Sequence, residues 1–326
     1  MGQIPQSIQK EPSNIQALKN QYQLEFINFR HTISILSYNI LADIYCEQSY
    51  FSYADFQNLK FLNRSTKIID QLKNFNADIL CLQEVDNIEF YQDNIKNLQY
   101  DICYCQRPQR SDGCLIAFKI EKFKILISQE YSLDQLALDY GLPLQYLRQN
   151  VFQIVRLEHL LTKKQFIIGN IHTFWNPNQD DLKFFQIVQL VQFMEAQKES
   201  EDQILIFCGD FNSLPKSNPI QYIQKNNPIV ERIEMSTNQI KLQNDIFQHY
   251  GPPKLNWESA YHPFPTFTNY TNNFKGCIDY IYYHNAKVEK ILSIPNQSLL
   301  QKEVALPNSN FPSDHVPILA YFDFHC

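Results

Sequence analysis

Glycine is scarce in this 326-residue sequence, with only seven. Turns that need positive φ are therefore expected to be few, and each glycine is informative. Gly209 precedes Asp210 and allows close backbone approach, while Gly113 and Gly276 stand beside apolar runs. An excess of basic residues is also missing: the net charge is −6. This argues against a general nucleic-acid binder and leaves any polyanion to a local site or to divalent cations. No apolar run approaches the roughly 20 residues that span a bilayer, so no membrane association is expected. The start, Met1–Ser7, lacks a hydroxyl at the position that myristoylation requires. There is no signal peptide, so the eight cysteines are expected to be reduced thiols rather than four disulfides. Cys103 and Cys105 lack zinc-type spacing. These readings suit a cytoplasmic protein, with nuclear entry left open.

No internal repeat and no Gly/Ser/Pro linker divides the chain. Residues 1–30 are polar and Gln-rich and read as a tail or short helix; residues 31–326 read as one domain. Hydrophobic residues at 44% and aromatics at 14% supply a sizeable core. Apolar runs predict strands over 32–38, 78–82, 113–119, 123–129, 151–158, 165–171, 203–208, 277–283 and 316–323. Helical periodicity covers 60–75, 88–98, 181–197 and 218–224. Phe61, Ile68, Leu72 and Phe75 form one stripe, and Phe184, Ile187, Val188, Val191 and Met194 another. Pro219 fits the first position of a helix. Residues 131–150 and 226–265 show little regular patterning and are expected to be surface loops.

Six apolar runs end or begin at a polar residue suited to phosphate chemistry. They meet Asn39, Glu84, His172, Asp210 with Asn212, Asp279, and Asp314 with His315. Buried strands that stop at such residues place them at a sheet rim, where they can converge on one cleft. In Gly209-Asp210-Phe211-Asn212, Asp210 can take a proton from water and Asn212 can hold that water or a phosphate oxygen; an Asx turn closing a strand uses the same residues. A carboxylate such as Asp279 hydrogen-bonded to His315 would favour the protonated ring, which stabilises charge beside a phosphate. Glu84 suits a hard cation, or a helix start. The donors Glu84, Asp210, Asp314, Asn39 and Asn212 are oxygen-rich, which argues for Mg²⁺ or Mn²⁺ over zinc. Arg107 and Arg110 are candidates either for phosphate contacts or for a solvated loop.

This order of motifs resembles the endonuclease/exonuclease/phosphatase superfamily over residues 31–326. The resemblance implies a DNase I-like, four-layer α/β sandwich with two packed mixed β-sheets and an active site at their shared rim. Within the superfamily the chain looks most like the catalytic domain of the carbon catabolite repression type poly(A) deadenylases, whose relatives include nocturnin and Angel. The residues behind this are Ser37–Ala42, Leu82–Val85, His172–Pro177 and, above all, Phe267–Ile281.

That likeness implies a Mg²⁺-dependent 3′–5′ exoribonuclease that shortens poly(A) and releases 5′-AMP. Asp210 would be the base, and Asn212 and His172 would contact the phosphate. His315 with Asp279 would stabilise developing charge. Glu84, Asp210 and Asp314 would hold the metal. Asn269, Phe274 and Pro177 would hold the terminal adenosine, and Asn39, counted with them, would support the metal site. Relatives that act on an NADP-type dinucleotide or a 2′-5′ oligoadenylate keep a small adenylate open as substrate, and a non-catalytic RNA-binding scaffold is a further reading. The expected partner is poly(A) RNA. Some family members reach a deadenylase-complex scaffold through leucine-rich repeats, and no repeated L-x-x-L-x-L pattern occurs in this sequence. The Gln106–Arg110 segment is shorter than its family counterpart, and an acidic substrate-contacting residue found there has no match.

Overall fold

The structure, a computed structural model, describes residues 31–225, 235–295 and 304–324. The expected tail at 1–30 lies outside the described residues. The main strands are β1 (Thr32–Asn39), β2 (Ile79–Gln83), β3 (Tyr100–Gln106), β4 (Gly113–Lys119), β5 (Phe123–Ser132), β6 (Val151–His159), β7 (Gln165–His172) and β8 (Ile204–Asp210). After the two-residue strands β9 (Glu258–Ser259), β10 (Asn269–Tyr270) and β11 (Lys275–Gly276) come β12 (Asp279–His284), β13 (Lys287–Ile291) and β14 (Ile318–Asp323). They form two six-stranded mixed sheets, ordered β13-β14-β1-β2-β4-β3 and β5-β6-β7-β8-β12-β9, with β10 and β11 as a separate hairpin. The expected α/β sandwich is thus observed.

Alternation along the strands builds the layers. Ile33, Ile35 and Ile79 pack between the sheets against Val155, Ile168, Ile206 and Ile281. Their neighbours Leu36, Tyr38 and Leu80 face outward onto Ile68, Leu72 and Phe75 of the helix Phe61–Phe75. On the far side, Ile167, Ile171 and Leu205 meet Phe184, Ile187, Val191 and Met194 of the helix Asp180–Ala196. A strand buried on both faces reads as a continuous apolar run, which is why these strands were visible in the sequence. Fully burying each such side chain contributes about 1.5–3 kcal/mol.

Three expectations are corrected. The segments read as loops contain the helices Leu133–Tyr140 and Thr237–Tyr250. Ser132 caps the first and Gly141, in the left-handed region, ends it. Ser236 and Gln239 open the second with a capping box. Thr237–Tyr250 and Asn218–Ile223 cover the Asp180–Ala196 helix, so that helix is buried nearly all round rather than along one stripe. The strands β3 and β13 were not anticipated either. Finally, positive φ is not scarce: eleven described non-glycine residues adopt it, among them Leu41, Glu84 and Asn212. The chain takes these turns at Asn, Gln and a few others, and three of them bound the site described next.

Candidate active site

Strand register assembles the site. Parallel pairing of β1 with β2 sets Asn39 opposite Gln83, one residue before Glu84. Parallel pairing of β7 with β8 sets His172 opposite Asp210, and antiparallel pairing of β8 with β12 sets Asp210 opposite Asp279. His315 bridges to Asn269 just before β14. The C-terminal ends of four strands and the entries to two others therefore share one rim. Below it, Gln83 Nε2 donates to Asn170 Oδ1 at 2.8 Å. Asn170 Nδ2 donates to the carbonyls of Leu82 (2.9 Å) and Leu115 (3.1 Å), which locks the sheets together under the chemistry. Gly209 is required here, because a Cβ would lie 1.9 Å from the Ile171 carbonyl oxygen and φ is +147°.

One amide organises the carboxylates. Asn39 Nδ2 donates to Glu84 Oε1 at 2.9 Å and to Asp210 Oδ2 at 3.0 Å, while its Oδ1 accepts the Leu41 N–H. Glu84 Oε2 accepts the Ala42 N–H, with the Glu84 backbone held at φ +57°. An L-residue in this region is strained, and such strain concentrates at functional positions. Asp210 Oδ1 accepts the Asn212 N–H at 2.8 Å. Asn212 spends one side-chain N–H on the Thr173 carbonyl, and Lys183 Nζ donates to the Asn212 carbonyl.

The histidines face the same carboxylates. His172 Nε2 lies 3.6 Å from Asp210 Oδ2 and 3.9 Å from Glu84 Oε1. His315 Nε2 is also 3.6 Å from Asp210 Oδ2, and its Nδ1 sits 2.8 Å from Asp279 Oδ2. Asp314 Oδ2 accepts from Asn269 Nδ2 at 3.0 Å. Ser313 Oγ donates to the Asn39 carbonyl, tying the Asp314–His315 turn to β1.

The electrostatics follow from crowding negative charge in a buried place. Burial, then the Asp314 carboxylate, pushes Glu84 up to about 7. Burial, then Asp279, pushes Asp210 up to about 6. Burial also disfavours the His315 cation, but the carboxylates of Asp279, Asp314 and Asp210 outweigh it and hold the ring well above its ordinary range. His172 goes the other way, lowered chiefly by burial. One imidazole is thus built to be charged and the other neutral.

Clustered carboxylates served mainly by neutral amide donors leave negative charge that a cation would neutralise, and all-oxygen donors suit a hard ion. On the chemistry of its donors, the pocket fits a divalent metal. Among the described residues, one group of three candidate donors lies within 4.8 Å of one another: Asp210, Asp279 and His315. It overlaps the anticipated set Glu84, Asp210 and Asp314 only at Asp210. In this group His315 Nδ1 is already committed to Asp279.

A cleft of about 1040 Å³ opens over these residues. Asn269, Phe274 and Pro177, the residues expected to hold the terminal adenosine, line it. Asn269 also holds Asp314, and the Phe274 ring lies back over Gly276, where a Cβ would come within 2.8 Å of Phe274 Cζ. Arg107 is not free for phosphates. It pairs with Asp112 at 3.1 Å and donates to the carbonyls of Arg148 and Gln149, so it shapes the wall instead. Lys183, Arg148 and Trp175 also line the cleft and were not singled out as site residues. Lys183, the one charged residue in the 182–191 stretch, was the signal available for the first.

Residues 36–315 match the Endonuclease/Exonuclease/phosphatase family. Curated relatives include the "CCR4-Not complex 3'-5'-exoribonuclease subunit Ccr4" of Phaeosphaeria nodorum, 27% identical over 90% of this chain and 60% of its own length. The protein of the same name from Emericella nidulans is 30% identical over 89% and 52%. The chain thus spans little more than half the length of these relatives. Among solved structures, ANGEL2, described as a 2′,3′-cyclic phosphatase, is 25% identical with a TM-score of 0.76, covering 89% of this chain and 95% of that one. The human nocturnin catalytic domain is 22% identical with a TM-score of 0.67, covering 96% and 99%, and supports the fold alone.

Proposed function

Because the chain belongs to the Endonuclease/Exonuclease/phosphatase family, we propose that it is a metal-dependent 3′–5′ exoribonuclease that shortens poly(A) and releases 5′-AMP. The observation that carries this reading is the single Asn39 amide donating to both Glu84 and Asp210 beside the His315–Asp279 pair. That arrangement suits hydrolysis of a phosphodiester. The names of the fungal relatives favour RNA as the substrate, and the resemblance of the Phe267–Ile281 segment to the deadenylases favours a terminal adenosine.

In the proposed reaction, Glu84, Asp210 and Asp314 would hold Mg²⁺, or Mn²⁺, which when bound polarises a phosphoryl oxygen as a Lewis acid. Asp210 is oriented by Asn39 and by the Asn212 N–H. In its ionised form it aligns the attacking water and takes its proton. Protonated His315, steadied by Asp279, donates to the phosphate as charge develops. Neutral His172 and the Asn212 amide donate to non-bridging oxygens. Phe274 stacks the terminal adenine and Asn269 reads its edge. Action in the cytoplasm, and association with a deadenylase-complex scaffold, since the relatives are named as CCR4-Not complex subunits, belong to the same proposal. Co-purification with the scaffold from cell extract tests the latter.

The deciding experiment incubates 5′-labelled and 3′-labelled A-tailed RNA with the protein, with Mg²⁺ or with EDTA. A ladder shortening from the 3′ end, release of 5′-AMP, and arrest in EDTA are expected. Internal cuts, or turnover that ignores EDTA, would overturn the proposal. A second reading, removal of a 2′,3′-cyclic phosphate from RNA ends, is favoured by the match in shape to ANGEL2. An RNA carrying that end, run in parallel with an NADP-type dinucleotide, separates these substrates.

A further inference from the structure

The cleft carries a second aromatic face that the terminal-nucleotide pocket does not use. Trp175 is 67% exposed, which is unusual for the largest apolar side chain in a chain with only two tryptophans. It sits three residues beyond His172, no more than about 10 Å along the backbone. The intervening segment is pinned. The Thr173 N–H donates to the Asp210 carbonyl and the Phe174 N–H to Gln186 Oε1 at 2.8 Å. The Phe174 ring supports the indole, with centroids 5.7 Å apart. Over the Phe174 ring lies the Arg148 guanidinium, 4.9 Å from the centroid. Arg148 Nη2 donates to Gln179 Oε1, while its Nε has no hydrogen-bond partner among the described residues. An exposed indole and a fixed cation that line one cleft, each packed on the Phe174 ring, form the combination that binds single-stranded nucleic acid, the indole stacking a base and the cation meeting a phosphate. Phe274 belongs to a separate element, the β10–β11 hairpin, so the cleft holds two independent stacking faces.

We propose that Trp175 is the platform for the base of the penultimate nucleotide and that Arg148 contacts the phosphate on its 5′ side. The platform makes a single-stranded polynucleotide a better substrate than an adenylate lacking that second base. This rests on the exoribonuclease reading, which it deepens by assigning what holds the leaving strand.

The test is a cycle between protein and substrate. Wild-type and Trp175→Ala proteins are compared on A-tailed RNA and on the same RNA made abasic at the penultimate position. Each change alone is expected to lower kcat/KM about tenfold, and both together no further than either alone. Arg148→Met should lower kcat/KM and flatten its salt dependence. A binding readout stands beside this. In a Trp257→Phe background Trp175 is the sole tryptophan, and oligo(A) in EDTA should quench its fluorescence far more than AMP does. Equal losses by Trp175→Ala on intact and abasic RNA, or no quenching by oligo(A), overturn the platform. If wild type cleaves neither RNA, the exoribonuclease reading fails, while the fluorescence titration still decides whether Trp175 takes a base.

Discussion

The cleft has two unlike walls. On the chemical wall Asn39, Asp210, Asp279 and His315 are all at most 4% exposed, and each hydrogen-bonds to another member of the set. On the substrate wall Trp175 is 67% exposed, Tyr50 72% and Phe274 39%. The contrast reflects two tasks. Reacting groups must be held within a fraction of an ångström, so each is fixed from several directions, at a cost in buried charge and strained backbone. A wall that admits a flexible chain must stay open, and it spends exposed apolar surface instead.

The hardest test of this division is Asp210→Asn. On the chemical wall a change of one atom removes the base, so turnover should fall roughly 10³-fold. Circular dichroism should show an unchanged fold, since the substitution keeps the side chain's shape and removes a buried charge, which offsets the one donor, Asn39 Nδ2 or the Asn212 N–H, that then faces an amide NH2. Near-wild-type turnover by a folded variant would remove Asp210 from its assigned role.

The metal-free protein gives the next largest effect, because the chemical wall is then uncompensated. Glu84 at about 7 and Asp210 at about 6 lie above ordinary carboxylate values, so the folded state holds these protons more tightly than the unfolded state does. Their stabilisation is fully present below about pH 4 and lost as pH rises through 6 to 7. His315, also raised, has the same sign; His172, lowered, opposes it as pH falls. In EDTA the melting temperature should therefore drop between pH 5.5 and 8, by an amount on the order of 3 kcal/mol of stability. Mg²⁺ should flatten the slope. A melting temperature that climbs with pH in EDTA would mean that the carboxylates are already compensated within the fold.

On the open wall effects should be smaller and depend on the substrate. Phe274→Ala is expected to reduce kcat/KM on A-tailed RNA about tenfold and to narrow the preference over U-tailed RNA, leaving the melting temperature nearly unchanged. An equal loss on both tails would make Phe274 a packing residue.

The two walls also differ in how far the sequence betrayed them. Asn39, Glu84, His172, Asp210 and Asp279 were visible because each interrupts or ends a run that is apolar on both faces, and a polar residue in such a place has few uses. Residues that act from loops or through partners left weaker signs. Arg107 read as either a phosphate contact or part of a solvated loop because its partner Asp112 lies across a turn that no periodicity describes. Nor was the Asn39 bridge between Glu84 and Asp210 legible, since it spans 171 positions and exists only once both sheets are packed.

The helix Thr237–Tyr250 is the instructive failure. Its start was written in the sequence as Ser236-x-x-Gln239, yet its weak apolar stripe hid it among polar residues. In the structure Ser236 and Gln239 satisfy each other's backbone groups, and Gln239 Nε2 reaches on to the Asn178 carbonyl and Asp181 Oδ1, just behind Pro177. Ser236→Ala should therefore cost about 1 kcal/mol in a denaturant melt while leaving kcat/KM on A-tailed RNA intact, because Gln239 keeps its hold on the cleft. If Ser236→Ala impaired catalysis more than stability, the open wall would depend on this distant helix, and the separation of the two walls would have to be redrawn around it.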